Sequence, residues 1–248
     1  MAISIDVLCR GFPGKGSNGF LGWSSVALIR TASNNILFDT GAQAALPVLL
    51  NALKGLSLSP ADIDTVVLSH SHFDHIANVR KFKQARFIMS RAEWDYATGQ
   101  DEDICVEVGA VEYLKSQQLE LLGTDGVEIV PNVTAIFTPG HTPGCLSLVI
   151  EKDGESWVLA GDAIKNRAEL ASGVGDMTLN AAVTKESIDR VKSIAARVLP
   201  GHDCWLRVTE AGVIAEEPAT VRVTLPAGMS GVFDLSVDSG LFAPETKS

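Results

Sequence analysis

The chain has 248 residues, 46% hydrophobic and 20% charged, with a formal net charge of −10. These values suit a globular protein large enough to bury a full core as one domain, and they exclude the disordered and fibrous classes. The acidic balance opposes a polyanionic partner, so nucleic acid is not expected to bind. The nearest thing to a basic patch is Arg80, Lys81, Lys83 and Arg86, which reads as a solvated helix face.

The opening residues show no charged segment leading into a long apolar run, so no signal peptide is read. No window approaches eighteen uninterrupted apolar residues, so no membrane span is expected. Cys9, Cys105, Cys145 and Cys204 form no CxxC pair. Buried free thiols in a reducing cytoplasm are the expectation, with Cys145 and Cys204 as small fillers.

In chain order, short β-branched runs read as strands at Ile3–Leu8, Ser25–Arg30, Ile36–Phe38, Thr65–Leu68 and Phe87–Met89. The spacing of Leu46, Leu49, Leu50 and Leu53 predicts a helix over Ala44–Lys54, and Ser59-Pro60 reads as a cap followed by the first residue of another. Helices are expected over Arg91–Thr98 and Asp103–Leu122. A second set of strands follows at Val127–Val130, Val133–Phe137, Leu146–Ile150 and Ser156–Leu159, the last two joined by an Asp-Gly hairpin turn. Asn166–Met177 reads as irregular and Thr184–Ala196 as a helix running into a short strand at Val198 and Leu199. Three or four short strands are expected after His202. This order suggests two sheets with helices packed outside them.

Only five histidines occur in the chain, and three of them, His70, His72 and His75, fall within LSHSHFDHIAN together with Asp74. So many polar groups at the end of an apolar strand need partners. Residues alternating on an extended strand end share a side, so His70 and His72 can aim at one point. Asp74 and His75, after a turn, can face a second. Imidazole and carboxylate are preferred ligands of zinc, iron and manganese. The remaining histidines, His141 in TPGHTPGC and His202 in LPGHDC, also stand in turns after strands, as does Asp162 in LAGDAI. One shared metal site at a sheet edge would explain the pattern.

These residues resemble the metallo-β-lactamase-fold hydrolases. The H-x-H-x-D-H signature is His70, His72, Asp74 and His75. The family's later histidine, aspartate and histidine match His141, Asp162 and His202, and its DTG is Asp39-Thr40-Gly41. The resemblance spans about residues 24–205 and implies a four-layer αβ/βα sandwich. On this reading residues 1–248 form a single domain with a β-rich C-terminal extension. It also implies two divalent metal ions, zinc first, with iron or manganese as alternatives. His70, His72 and His141 would hold one, Asp74, His75 and His202 the other, and Asp162 would bridge them. A hydroxide between the metals would attack the substrate, with Asp74 as the catalytic proton carrier. Asp39 is expected behind the ligands, hydrogen-bonded to a ligand loop or imidazole.

A small-molecule substrate is expected, and a lactone or carboxylic ester fits the ligand set best. An aspartate at position 162 disfavours the zinc β-lactamases, and the acidic, β-rich tail differs from the helical, basic one of glyoxalase II. Phosphodiesterase or nuclease-like hydrolysis, a thioesterase of glyoxalase II type and a mononuclear iron sulfur dioxygenase-like enzyme remain alternatives, as does a metal-stabilised binding module. The homoserine lactonases usually carry a tyrosine three residues after the bridging aspartate, where this chain has Lys165; a lysine there could face a developing oxyanion. The glycine-rich stretch Gly11–Trp23 places Phe20, Leu21 and Trp23 where relatives carry a mobile loop, and these side chains could cover an apolar substrate arm. A homodimer is left open.

Overall fold

In strands buried on both faces, successive apolar side chains point into two different cores. Val26 and Leu28 pack into one cluster while Ala27 and Ile29 pack into another, and Phe87 and Met89 separate from Ile88 in the same way. The computed structural model, which describes residues 3–99, 102–229, 232–238 and 240–242, builds two such sheets. The first has six strands in the order Ser4–Cys9, Val26–Arg30, Asn35–Phe38, Thr65–Val67, Arg86–Ser90 and Leu119–Leu122. Its first three are antiparallel, and the remaining neighbours pair in parallel. The second has eight strands, from Val127–Val130 at one edge to Gly240–Phe242 at the other. Among the described residues only Glu155–Gly161 and Arg197–Pro200 pair in parallel there.

The inner faces meet in a core that includes Ile36, Phe38, Val67, Leu148, Ile150 and Leu159. The outer face of the first sheet is covered by the helices Leu46–Gly55 and Val108–Leu114, that of the second by Arg167–Ser172 and Ala181–Ile194. Helix, sheet, sheet, helix is the four-layer sandwich expected. Among the described residues no helix is long and apolar enough to cross a membrane.

Four expectations need correction. The long helix over Asp103–Leu122 shrinks to Val108–Leu114, and Leu119–Leu122 instead adds an edge strand beside Arg86–Ser90. The open edge of the first sheet offers that segment a full set of backbone partners, which outweighs its helical propensity. The stretch after Asp162 is not irregular throughout: the Asn166 side chain accepts from the amides of Ala168 and Glu169 and starts the helix Arg167–Ser172. Arg80, Lys81, Lys83 and Arg86 do not share a helix face, because Val79–Lys81 is a short 3-10 turn and Arg86 opens a strand. Beyond His202 there are five strands among the described residues, two of which, Ala219–Thr224 and Val232–Val237, form a separate ribbon. Of the expected C-terminal extension, residues 230–231, 239 and 243–248 lie outside the described residues.

Candidate metal centre

Five strands from the two sheets end on the same side, and their following loops form one edge. Asn35–Phe38 leads into Asp39, Thr65–Val67 into the loop of His70 to His75, and Val133–Phe137 into the loop of His141. Glu155–Gly161 leads directly to Asp162 and Arg197–Pro200 to His202. The glycine before His202 is required by closeness: any side chain on Gly201 would run into Asp162 Oδ1.

The loops are tied to one another by side chains. Asp39 is fully buried, with backbone φ of 61°. Its carboxylate accepts from the amide and hydroxyl of Ser69, both at 2.7 Å, and from His75 Nδ1 at 2.8 Å. Asn78 Nδ2 reaches the carbonyls of Thr40, Gly41 and Ala42 within 3.1 Å. His75 itself lies in a short helix, Phe73–Ile76, rather than in a turn.

Each histidine has one ring nitrogen braced from behind and the other aimed into the site. His70 Nδ1 meets Ser69 Oγ at 2.9 Å, and His72 Nε2 meets Asp103 Oδ2 at 3.0 Å. His141 Nδ1 donates to the Met177 carbonyl at 2.9 Å and His202 Nδ1 to the Trp23 carbonyl at 3.1 Å. Such outer hydrogen bonds fix the tautomer and ring direction of a metal-binding imidazole.

The inward atoms form three groups, each with its members' donor atoms within 4.8 Å of one another: His70, His72 and His141; His70, His75 and Asp162; and Asp74, His75 and His202. Asp162 stands between the first and the last. Its Oδ2 lies 3.4 Å from His141 Nε2, and its Oδ1 lies 3.2 Å from His75 Nε2 and 3.3 Å from His202 Nε2. His70 Nε2, His75 Nε2 and Asp162 Oδ1 are buried without a hydrogen-bond partner, a cost of about 1–3 kcal/mol each if nothing else satisfied them. Converging imidazole and carboxylate atoms of this kind fit divalent cations.

Electrostatics point the same way. Burial, helped by the neighbouring imidazoles, holds His70 well below its ordinary value, and burial brings His141 down to about 3. Both are therefore neutral, the form that ligates. At His75 burial opposes the charge, but Asp162, Asp74 and Asp39 outweigh it and raise the imidazole well above its usual range. Burial alone would raise Asp162, yet His202 and His75 hold it well below the usual carboxylate range. This cluster of acids draws positive charge toward itself.

Above the histidines opens a cavity of about 720 Å³. Phe20, Leu21 and Lys165 line it, with Phe12, Phe73 and Tyr96 completing apolar walls. Trp23 does not line it: its ring packs edge-on against Phe12 with centroids 5.9 Å apart, while its carbonyl braces His202. Lys165 Nζ is buried 3.2 Å from Glu169 Oε1, without hydrogen-bond alignment.

Several supporting residues escaped the sequence reading. Asp103 braces His72 and accepts from the Tyr96 hydroxyl at 2.8 Å. Burial would raise its carboxyl, but the Cys105 amide, Tyr96 and His72 lower it. Asp203, next to His202, forms a buried pair with Arg167 at 2.6 Å. Adjacency to a histidine was the one available signal for Asp203; Asp103 carries none, and neither does the buried Glu93.

The profile of the Metallo-beta-lactamase superfamily matches residues 21–202, more than half of the chain. The chain belongs to the metallo-beta-lactamase superfamily. Within it, the chain is 30% identical over 162 residues to an N-acyl homoserine lactonase of Bacillus sp. That match covers 62% of each protein, so the chain spans about three-fifths of that relative's length. A probable metallo-hydrolase of Methanocaldococcus jannaschii is 30% identical over 169 residues, covering 68% of this chain and 70% of that one. Among solved structures, an N-acyl homoserine lactone hydrolase with N-hexanoyl-L-homoserine at its catalytic metal center superposes with a TM-score of 0.65 at 23% identity. It covers 82% of this chain and 93% of its own. A probable metal-dependent hydrolase from Staphylococcus aureus superposes with a TM-score of 0.70 at 19% identity, over 87% of this chain and 98% of its own. At these identities the structures speak for the shared fold.

Proposed function

We propose that this chain is a dinuclear metal-dependent hydrolase that opens a lactone or cleaves a carboxylic ester of an uncharged substrate with an apolar arm. The observation that carries the reading is Asp162, which turns one carboxylate oxygen toward each of two ligand groups. His70, His72 and His141 would hold one ion, and Asp74, His75 and His202 the other. Two divalent cations there, zinc by the donor set, would acidify a shared water and polarise the scissile carbonyl.

The chain's own groups do the rest. Asp74 takes the proton at its carboxylate and passes it to the leaving oxygen. Lys165 Nζ, at the cavity wall, offers positive charge to the carbonyl oxygen as it becomes an oxyanion. Phe20 and Leu21 cover the apolar arm and keep water from it. Asp39 holds the His75 ring and the Ser69 backbone in register. Six carboxylates (Asp74, Glu102, Asp103, Asp162, Glu169 and Asp176) and two lysines line the cavity, a formal balance of −4 that two divalent cations would cancel. No positive surplus remains for a polyanion, which favours a neutral substrate over a nucleic acid. The naming of relatives as homoserine lactonases supports the lactone reading. Free cysteines, three of them buried, support a reducing cytoplasm.

The test is metal analysis of the purified protein together with a hydrolysis screen over lactones, aryl esters, thioesters and phosphodiesters. About two metal equivalents and chelator-sensitive turnover of lactones or esters are expected. Turnover confined to phosphodiesters or thioesters would replace the substrate assignment. A single iron with oxygen consumption on thiol substrates would replace the reaction.

A further inference from the structure

Glu93 is a fully buried acid that no step above uses. It lies in the first turn of the helix Arg91–Gly99. Its Oε1 accepts from the amide and hydroxyl of Ser71 at 2.8 and 2.6 Å. Its Oε2 accepts from the Thr142 hydroxyl at 2.6 Å and the Gly144 amide at 3.2 Å. Ser71 stands between His70 and His72 in the chain, and Thr142 follows His141. One carboxylate therefore ties together two loops, from different sheets, that carry all three members of the first histidine group. The seam is close-fitted: Ser90 Oγ bonds both the Gly144 carbonyl at 2.5 Å and the Glu93 amide at 3.0 Å. A side chain on Gly144 would run into the Glu93 backbone. Four donors on a buried carboxylate make a directional, low-dielectric anchor.

We propose that Glu93 is a positioning residue: it fixes the distance between the His70–His72 loop and the His141 loop, and thereby sets the metal affinity of that histidine group. This rests on the reading that the group binds a metal. The carboxylate is needed because it accepts on both oxygens. In Glu93→Gln the amide NH2 must face a backbone N–H, of either Ser71 or Gly144, and neither can accept. One ligand loop is then released whichever way the amide turns.

The test is metal-free protein titrated with Zn2+ against a chromophoric chelator, on a His202→Ala background that leaves the three-histidine group intact. Glu93→Gln is expected to weaken zinc binding there about 10–100-fold and to speed its release. Thr142→Val, which deletes one hydroxyl bond and leaves the Gly144 amide in place, is expected to weaken it about threefold. It decides the matter alone if Glu93→Gln does not fold. Leu53→Ala, in a helix on the outer face of the first sheet, destabilises the chain by opening a cavity and should leave zinc affinity unchanged. Wild-type affinity in Glu93→Gln, or in Thr142→Val where that variant decides alone, would overturn the proposal, as would an equal loss in Leu53→Ala. A wild-type protein that takes up no zinc at all would instead overturn the metal-site reading beneath it.

Discussion

At the floor of the cavity every histidine ring is tied from behind to a fixed acceptor, and Asp74 and Asp162 are almost wholly buried. At the rim, Phe20, Met177 and Leu179 are 54%, 43% and 61% exposed. Two rim segments are joined by a surface pair, Lys15 with Asp176 at 2.8 Å. The floor is expensive to build, since each buried polar atom needs a partner, and so it tolerates little change. The rim is exposed and carried on a short hairpin, Lys15–Gly16 with Gly19–Phe20, and on loops, where substitution costs the fold little. On the proposed function, chemistry that must be held to a fraction of an ångström would sit on the first kind of structure, and choice of substrate on the second.

The sharpest way to break this comparison is at the floor. Asp162→Ala or His75→Ala is expected to lower turnover on the order of a thousandfold or more, while circular dichroism shows the fold intact. Near-normal rates in both would place the chemistry elsewhere. A middle-sized effect is expected at the rim. Phe20→Ala should raise KM about fivefold for substrates with a long apolar arm, and hardly at all for short ones, with kcat little changed. An equal loss across the series would mean that Phe20 serves its pairing with Lys15 in the hairpin Lys15–Phe20 and not the substrate.

The smallest effect belongs to Lys15→Ala, expected to change KM by less than about threefold and to have none in about 0.5 M salt. The hydrogen bond from Lys15 holds the Asp176 carboxyl below its ordinary value. A depressed carboxyl contributes stability above the ordinary carboxylate range and loses it as pH falls through the folded value. Wild type and Lys15→Ala should therefore converge in acid and differ near neutrality, as urea titrations at a series of pH values would show. A difference that grew toward low pH would contradict the pairing.

Much of the floor was legible in the sequence because its histidines are few and clustered. Five histidines, all following strands, have little reason to gather there unless they share a cation. The strands were legible as apolar runs, because both faces of each inner strand are buried. Leu119–Leu122 was not, since LELL suits a helix face as well as an edge strand, and the neighbour Arg86–Ser90 decides between them only after folding. The Arg167–Ser172 helix depends on a cap that the Asn166 side chain makes locally, a signal present but weak.

By itself, the amino-acid order determined which side chains could bind metal and which segments alternate between two cores, because both are properties of residue type and of short spacing. Only the tertiary structure decided that Glu93 joins the loops of His72 and His141, that Asp103 turns His72, and that Trp23 braces His202 through its carbonyl. Those contacts bridge residues 22 to 179 positions apart. No local pattern encodes them, since a buried hydrogen bond acquires its value from where the other partner has been brought.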